Sequence, residues 1–112
     1  MVRNGLADGT VVAFVVDGEE PGRLAASAAG TVAQRLPVDG NPGGRVGYVQ
    51  YVYTEASRRC QGLGRLVMDD LLDWYRENDV GVVELHASGD GEPLYRAMGF
   101  VDPRNPQLRL RL

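Results

Sequence analysis

The residues with the clearest capacity for chemistry lie between Val52 and Gly64. Val52, Tyr53, Thr54 and Glu55 close a β-branched and aromatic run. Arg58, Arg59, Cys60 and Gln61 follow, and Gly62, Leu63 and Gly64 open an amphipathic segment. A strand that passes through a basic turn into a glycine-led helix gathers two things at one point: the free N–H groups of the first helical turn and the positive end of the helix dipole. Such a point suits a phosphate. Glycine lets a ligand approach the backbone because no Cβ intervenes. Arg58, Arg59 and Arg65 add local positive charge for a diphosphate. The stretch therefore reads as a grip on the pyrophosphate of a coenzyme. Val67 stands where a dinucleotide fingerprint has its third glycine, and the lysine and Ser/Thr of a nucleoside triphosphate loop are missing, so those two ligand classes are disfavoured.

The elements that must position this turn follow from periodicity. Residues 1–9 carry no pattern and are expected to fray. Thr10–Val16 reads as a strand, residues 17–22 as a turn, and Leu24–Leu36 as the second arm of a hairpin. Pro37–Gly44 is a loop. Arg45–Thr54 is apolar or aromatic on both faces, which predicts a strand in the middle of the sheet. Gly62–Asn78 is the one clear helix, with Leu63, Val67, Leu71, Trp74 and Asn78 on a stripe that Leu66, Met68, Leu72 and Tyr75 widen. Val80–Ala87 is the next strand. Strand, helix and strand in so few residues make a βαβ unit, hence a parallel pair with a right-handed crossover. Pro93–Met98 is a short helix that Gly99 ends. Leu108–Leu112 alternates leucine and arginine and predicts a half-exposed strand.

A chain of 112 residues is one domain. A formal net charge of -3 offers no global attraction for nucleic acid or an anionic membrane. No apolar run approaches the ~20 residues of a membrane span, and the first residues lack the apolar centre of a signal peptide. The expectation is a cytoplasmic protein. A lone cysteine can form neither an internal disulfide nor a cysteine-based metal cluster, and no metal is expected.

Val52-Tyr53-Thr54-Glu55, followed by Arg59-Cys60-Gln61-Gly62-Leu63-Gly64, resembles the acetyl-CoA motif of the GNAT superfamily of N-acetyltransferases. Leu85-His86-Ala87-Ser88, followed by Pro93-Leu94-Tyr95-Arg96-Ala97-Met98-Gly99-Phe100, resembles that family's second hallmark, in the family's order and at its spacing. The resemblance implies an α/β fold with a mixed, mostly antiparallel sheet, a parallel central pair, one long helix and one short C-terminal helix. It implies acetyl transfer from acetyl-CoA to an amine of a small molecule or protein, in a direct ternary complex. On this likeness Val52, Tyr53 and Thr54 offer their backbone to the pantetheine arm. Residues Cys60, Gln61, Gly62, Leu63, Gly64 and Arg65 hold the pyrophosphate, with Arg59 at the family's Arg/Gln position. Ser88 stands where many members place an Asn that touches the coenzyme arm, and Ala56 stands where a proline is frequent. Tyr95 matches the tyrosine that commonly protonates the departing thiolate; a phenol, with a reference pKa near ~10, is a donor at neutral pH.

An acceptor amine is mostly protonated at pH 7, so something must take its proton before attack. Glu84 and His86 share one strand face by the period of two, and Glu55 ends the preceding strand. These three are the candidate bases. Family members open with a strand and two helices ahead of the hairpin, whereas this sequence begins close to the hairpin. On the resemblance the expectation is a truncated member, a short member that completes its fold by pairing with a second copy, or one with an open, weakly selective acceptor site, and the homodimer is the favoured of the three. Two rival readings use the same fold: a catalytically weak acyl-CoA sensor, and a structural dimerisation module.

Overall fold

The structure is a computed structural model that describes residues 2–8, 10–59 and 61–112. Strands β1 (Val2–Ala7), β2 (Val11–Asp17), β3 (Leu24–Gln34), β4 (Arg45–Thr54) and β5 (Val82–Leu85) form one sheet in sequence order. The first three pairings are antiparallel and β4–β5 is parallel. The crossover between β4 and β5 carries the long helix α1 (Leu63–Glu77), and α2 (Glu92–Ala97) follows β5. This is the mixed α/β sheet, with one long and one short helix, that the sequence implied. Among the described residues no helix is long and apolar enough to cross a membrane.

Two expectations for the ends of the chain are corrected. Residues 2–7 do not fray: they pair with β2. The register jumps between Asn4 and Leu6, so Gly5 is an extra residue that breaks the period of two and hides the strand. Asp8 then ties down the turn, its carboxylate accepting from the Thr10 and Val11 N–H groups and the Thr10 hydroxyl. These bonds favour the charged form and hold Asp8 below the usual carboxylate range. The second correction is Leu108–Leu112, which is not a strand. Leu108, Leu110 and Leu112 are all exposed. Alternation describes a surface that could pair, but a ladder forms only against a neighbour at bonding distance, and the chain after Phe100 passes β5 across a cavity.

α1 lies across β3 and β2. Its buried residues are Leu63, Val67, Met68, Leu71 and Tyr75, spaced at three to four residues as a core-facing stripe requires. The stripe is rotated from the one expected: Tyr75 is fully buried while Trp74 is half-buried. Opposite it stand Val12, Val16, Val49 and the fully buried Ala26 and Ala28. Small side chains on β3 let the helix sit close. Each large apolar side chain buried here contributes about 1.5–3 kcal/mol.

β4 has strands on both edges, yet only one of its faces is covered. Val52 and Thr54 pair with the buried Ala28 and Ala26, whereas Tyr51 and Tyr53 pair with Ala29 and Ser27 on the other face and are exposed.

Candidate active site

The geometry of the site begins with an irregularity in β4. Val49 pairs with Gly30 and Tyr51 with Ala29, so Gln50 is an extra residue on β4. A bulge bends its strand and sharpens the local twist. The β4–β5 ladder runs only from Val46–Val82 to Val49–Leu85. Beyond it, β4 stays paired to β3 through Thr54, while its other edge faces no strand among the described residues. Alternate N–H and C=O groups between Gln50 and Thr54 are therefore open to an extended ligand.

Tyr75 sits beneath this bend. Its hydroxyl donates to the carbonyl oxygens of Thr31, at 3.1 Å, and Tyr48, at 3.3 Å. A Cβ built on Gly30 or Gly47 would collide with the tyrosine, so both strand glycines are there to admit it. Burial pushes the Tyr75 phenol up to about 12. Gly30 and Gly47 are the sequence signal for this site, since a glycine inside a strand marks a bulge or a close approach.

From Thr54 the chain turns through a 3-10 segment, Ala56–Arg58, into Gly62. Gly62 has φ +77° and open space where a Cβ would point. That left-handed conformation suits glycine. Among the described residues no side chain caps the start of α1, and its first turn has no acidic residue. Gly64 packs on both neighbouring elements: a Cβ there would meet Thr54 Oγ1 at 3.6 Å and Leu94 Cδ2 at 3.7 Å. The helix mouth, the end of β4 and α2 thus meet at one place.

The basic residues around the turn differ in their freedom. The Arg58 guanidinium donates to Gln61 Oε1 at 3.0 Å and braces the turn. Arg65 lies 3.7 Å from Asp69 in an exposed pair. Arg59 is exposed and has no ion-pair partner among the described residues. Cys60 lies outside the described residues.

The expected chemical groups fall into two places. Tyr95, His86 and Glu84 line one cavity of about 570 Å3, which Arg35, Phe100 and Asp102 also border. The Tyr95 ring lies against Gly91 and meets Phe100 edge-on at 6.1 Å. Burial pushes its phenol above the ordinary value and keeps it protonated. Arg96 ties the cavity wall together, donating to Glu92 at 2.8 Å and to Asp102 at 2.9 Å. Ser88 closes the loop before α2: its Oγ accepts from the Gly91 N–H at 3.3 Å, which leaves the hydroxyl proton for another acceptor. Glu55 is elsewhere, in a second cavity of about 400 Å3 with Glu19, Glu20, Arg23, Ser57 and Arg58. Of the three candidate bases, the structure groups Glu84 and His86 with Tyr95 and separates Glu55. Sequence reasoning missed Tyr48, whose hydroxyl lies 2.5 Å from His86 Nδ1.

The same fold occurs in solved structures. A predicted acetyltransferase from Clostridium acetobutylicum, solved with acetyl-CoA, is 30% identical, with a TM-score of 0.80 over 91% of this chain. An acetyltransferase from Trypanosoma brucei is 29% identical, with a TM-score of 0.73 over 93% of this chain. A GCN5-related N-acetyltransferase from Ralstonia eutropha is 26% identical, with a TM-score of 0.79 over 91%. The chain spans 64%, 70% and 66% of these three proteins respectively. No curated protein matches it. The family model described as the acetyltransferase (GNAT) family matches residues 4–100, a span that takes in the bulged strand, the uncapped helix mouth and the Tyr95 helix, and the chain belongs to that family.

Proposed function

We propose that this chain is an N-acetyltransferase that moves an acetyl group from acetyl-CoA to a primary amine. One observation carries the reading: the open edge of β4 leads directly into a helix start whose N–H groups no side chain among the described residues occupies. An extended pantetheine arm with a diphosphate at one end fits that pair of features.

In this reading the Val52, Tyr53 and Thr54 backbone holds the arm. Main-chain groups from Cys60 to Arg65, with Arg59 beside them, hold the pyrophosphate, and Ser88 donates its hydroxyl proton to the arm. A base takes one proton from the acceptor ammonium. The freed amine nitrogen bonds to the thioester carbon, the C–S bond breaks, and Tyr95 gives its phenolic proton to the leaving sulfur. The second nitrogen proton then leaves to solvent, from which Tyr95 is reprotonated. Glu84 and His86 suit the base role better than Glu55, because they share the Tyr95 cavity.

The reading places the protein in the cytoplasm. It also includes a second copy of the chain covering the sheet face where Tyr51 and Tyr53 are exposed. A sedimentation run showing only monomer at high micromolar concentration argues against that dimer.

Calorimetry with acetyl-CoA is the first test, and coenzyme A release with a panel of primary amines the second. Binding with turnover supports the transferase. Binding without turnover leaves an acyl-CoA sensor. No binding overturns both.

A further inference from the structure

The Tyr48 hydroxyl lies 2.5 Å from His86 Nδ1, and the two rings meet edge-on at 5.7 Å. Tyr48 precedes the last β4–β5 pair, Val49–Leu85, and His86 follows it. They stand where the two strands part. The Tyr48 carbonyl is held from the opposite face by the Tyr75 hydroxyl. Tyr48 is half-buried and His86 is exposed. Nothing in the family likeness gave Tyr48 a role.

A phenol is the stronger donor of the pair and a neutral imidazole the stronger acceptor. With Tyr48 O–H as the donor to Nδ1, the neutral ring carries its proton on Nε2; the other tautomer would reverse the bond. In the Nε2–H tautomer the outward nitrogen is a donor and cannot take a proton. In that tautomer the basic nitrogen of His86 is the one that faces the Tyr48 oxygen.

We propose that the base of this site is the Tyr48–His86 pair acting as a relay, with Tyr48 as a further catalytic residue. The proposal rests on the transferase reading. The acceptor ammonium passes a proton to Tyr48 Oη as the Tyr48 hydroxyl proton moves to Nδ1. The products are a neutral amine, an intact phenol and an imidazolium; once the acetylated product has left, the Nδ1 proton returns through Tyr48 Oη to solvent, which restores the Nε2–H tautomer. Glu84 pairs with Tyr48 across the ladder and so shares its face; its carboxylate attracts the incoming cation. Arg35, Glu92, Tyr95, Arg96 and Asp102 also border the cavity that His86 lines.

His86 is the only histidine, so its ring signals in nitrogen-15 NMR of the full chain are unambiguous. The expected result is Nε2–H with Nδ1 as a hydrogen-bonded acceptor, and a shift of the Nδ1 signal in Tyr48→Phe at unchanged fold. In coenzyme A release with primary amines, Tyr48→Phe and His86→Gln each lose roughly 100-fold in kcat, and the double variant loses no more than either. A proton on Nδ1 in the neutral ring overturns the relay. So does full activity in Tyr48→Phe, which leaves transfer itself intact. Failure of acetyl-CoA to bind in calorimetry is a separate result: it overturns the transferase reading and the relay with it.

Discussion

Tyr75 occupies the space that a side chain on Gly47 would need, since a Cβ there would lie 2.6 Å from the ring. The tyrosine pushes up through the gap left by two strand glycines to reach carbonyl oxygens at the β4 bulge. The buried face of α1 and the open edge of β4 are thereby one mechanical unit. Gly47→Ala is expected to cost about 1–3 kcal/mol by overpacking. Tyr75→Phe keeps the ring and removes the donor, at about 1 kcal/mol. Urea unfolding of both variants measures these losses. A Gly47→Ala protein as stable as the parent would mean the ring moves freely.

The same tyrosine sets an alkaline limit. Its folded value is raised by burial to about 12, above the ~10 of an exposed phenol. The folded state therefore holds its proton more tightly than the unfolded chain. The stabilisation is fully present below pH ~10 and is lost as pH rises toward 12. The thermal midpoint should fall over that window in the parent and fall less in Tyr75→Phe. Equal slopes would assign the alkaline loss to other groups.

Much of this site was legible because it is written in local rules. Arg45–Thr54 bounds β4 to the residue, since β-branched and aromatic residues end where a basic, glycine-led turn begins. Gly62–Gly64 marks the helix mouth for the same reason. What escaped depends on contacts between distant residues. The β1 pattern is broken by the extra residue at Gly5. Tyr48 meets His86 across 38 positions, and no periodicity within either strand points at the other. Leu108–Leu112 has a strand's alternation without a strand's neighbour. Glu55 and His86 looked equivalent in the sequence, but the turn after β4 carries Glu55 into a different cavity.

Gly62 separates backbone effects from ligand effects. Its φ of +77° strains any L side chain, though a Cβ meets nothing within 4 Å. Gly62→Ala should therefore fold, at a cost of about 1–2 kcal/mol. Gly62→Asp adds a carboxylate at the helix mouth, where it caps the free N–H groups and repels phosphate. Calorimetry should show at least about 10-fold weaker acetyl-CoA binding for Gly62→Asp than for Gly62→Ala, a difference of about 1.4 kcal/mol. Equal affinity in the two variants would place the pyrophosphate elsewhere.

Tyr95→Phe tests the acid. The edge-on contact with Phe100 and the packing against Gly91 involve the ring, so the variant should fold as the parent does. If the phenol only hands a proton to the leaving sulfur, kcat falls by roughly 100-fold and affinity for acetyl-CoA stays within about 2-fold. Because burial raises the Tyr95 phenol, the alkaline limb that its ionisation imposes lies above the ordinary phenol value of ~10. Thiol release by the parent should therefore hold through this group to higher pH than an ordinary phenol would allow. A parallel loss of affinity and turnover would instead make Tyr95 a wall of the coenzyme slot, and the leaving sulfur would then take its proton from water.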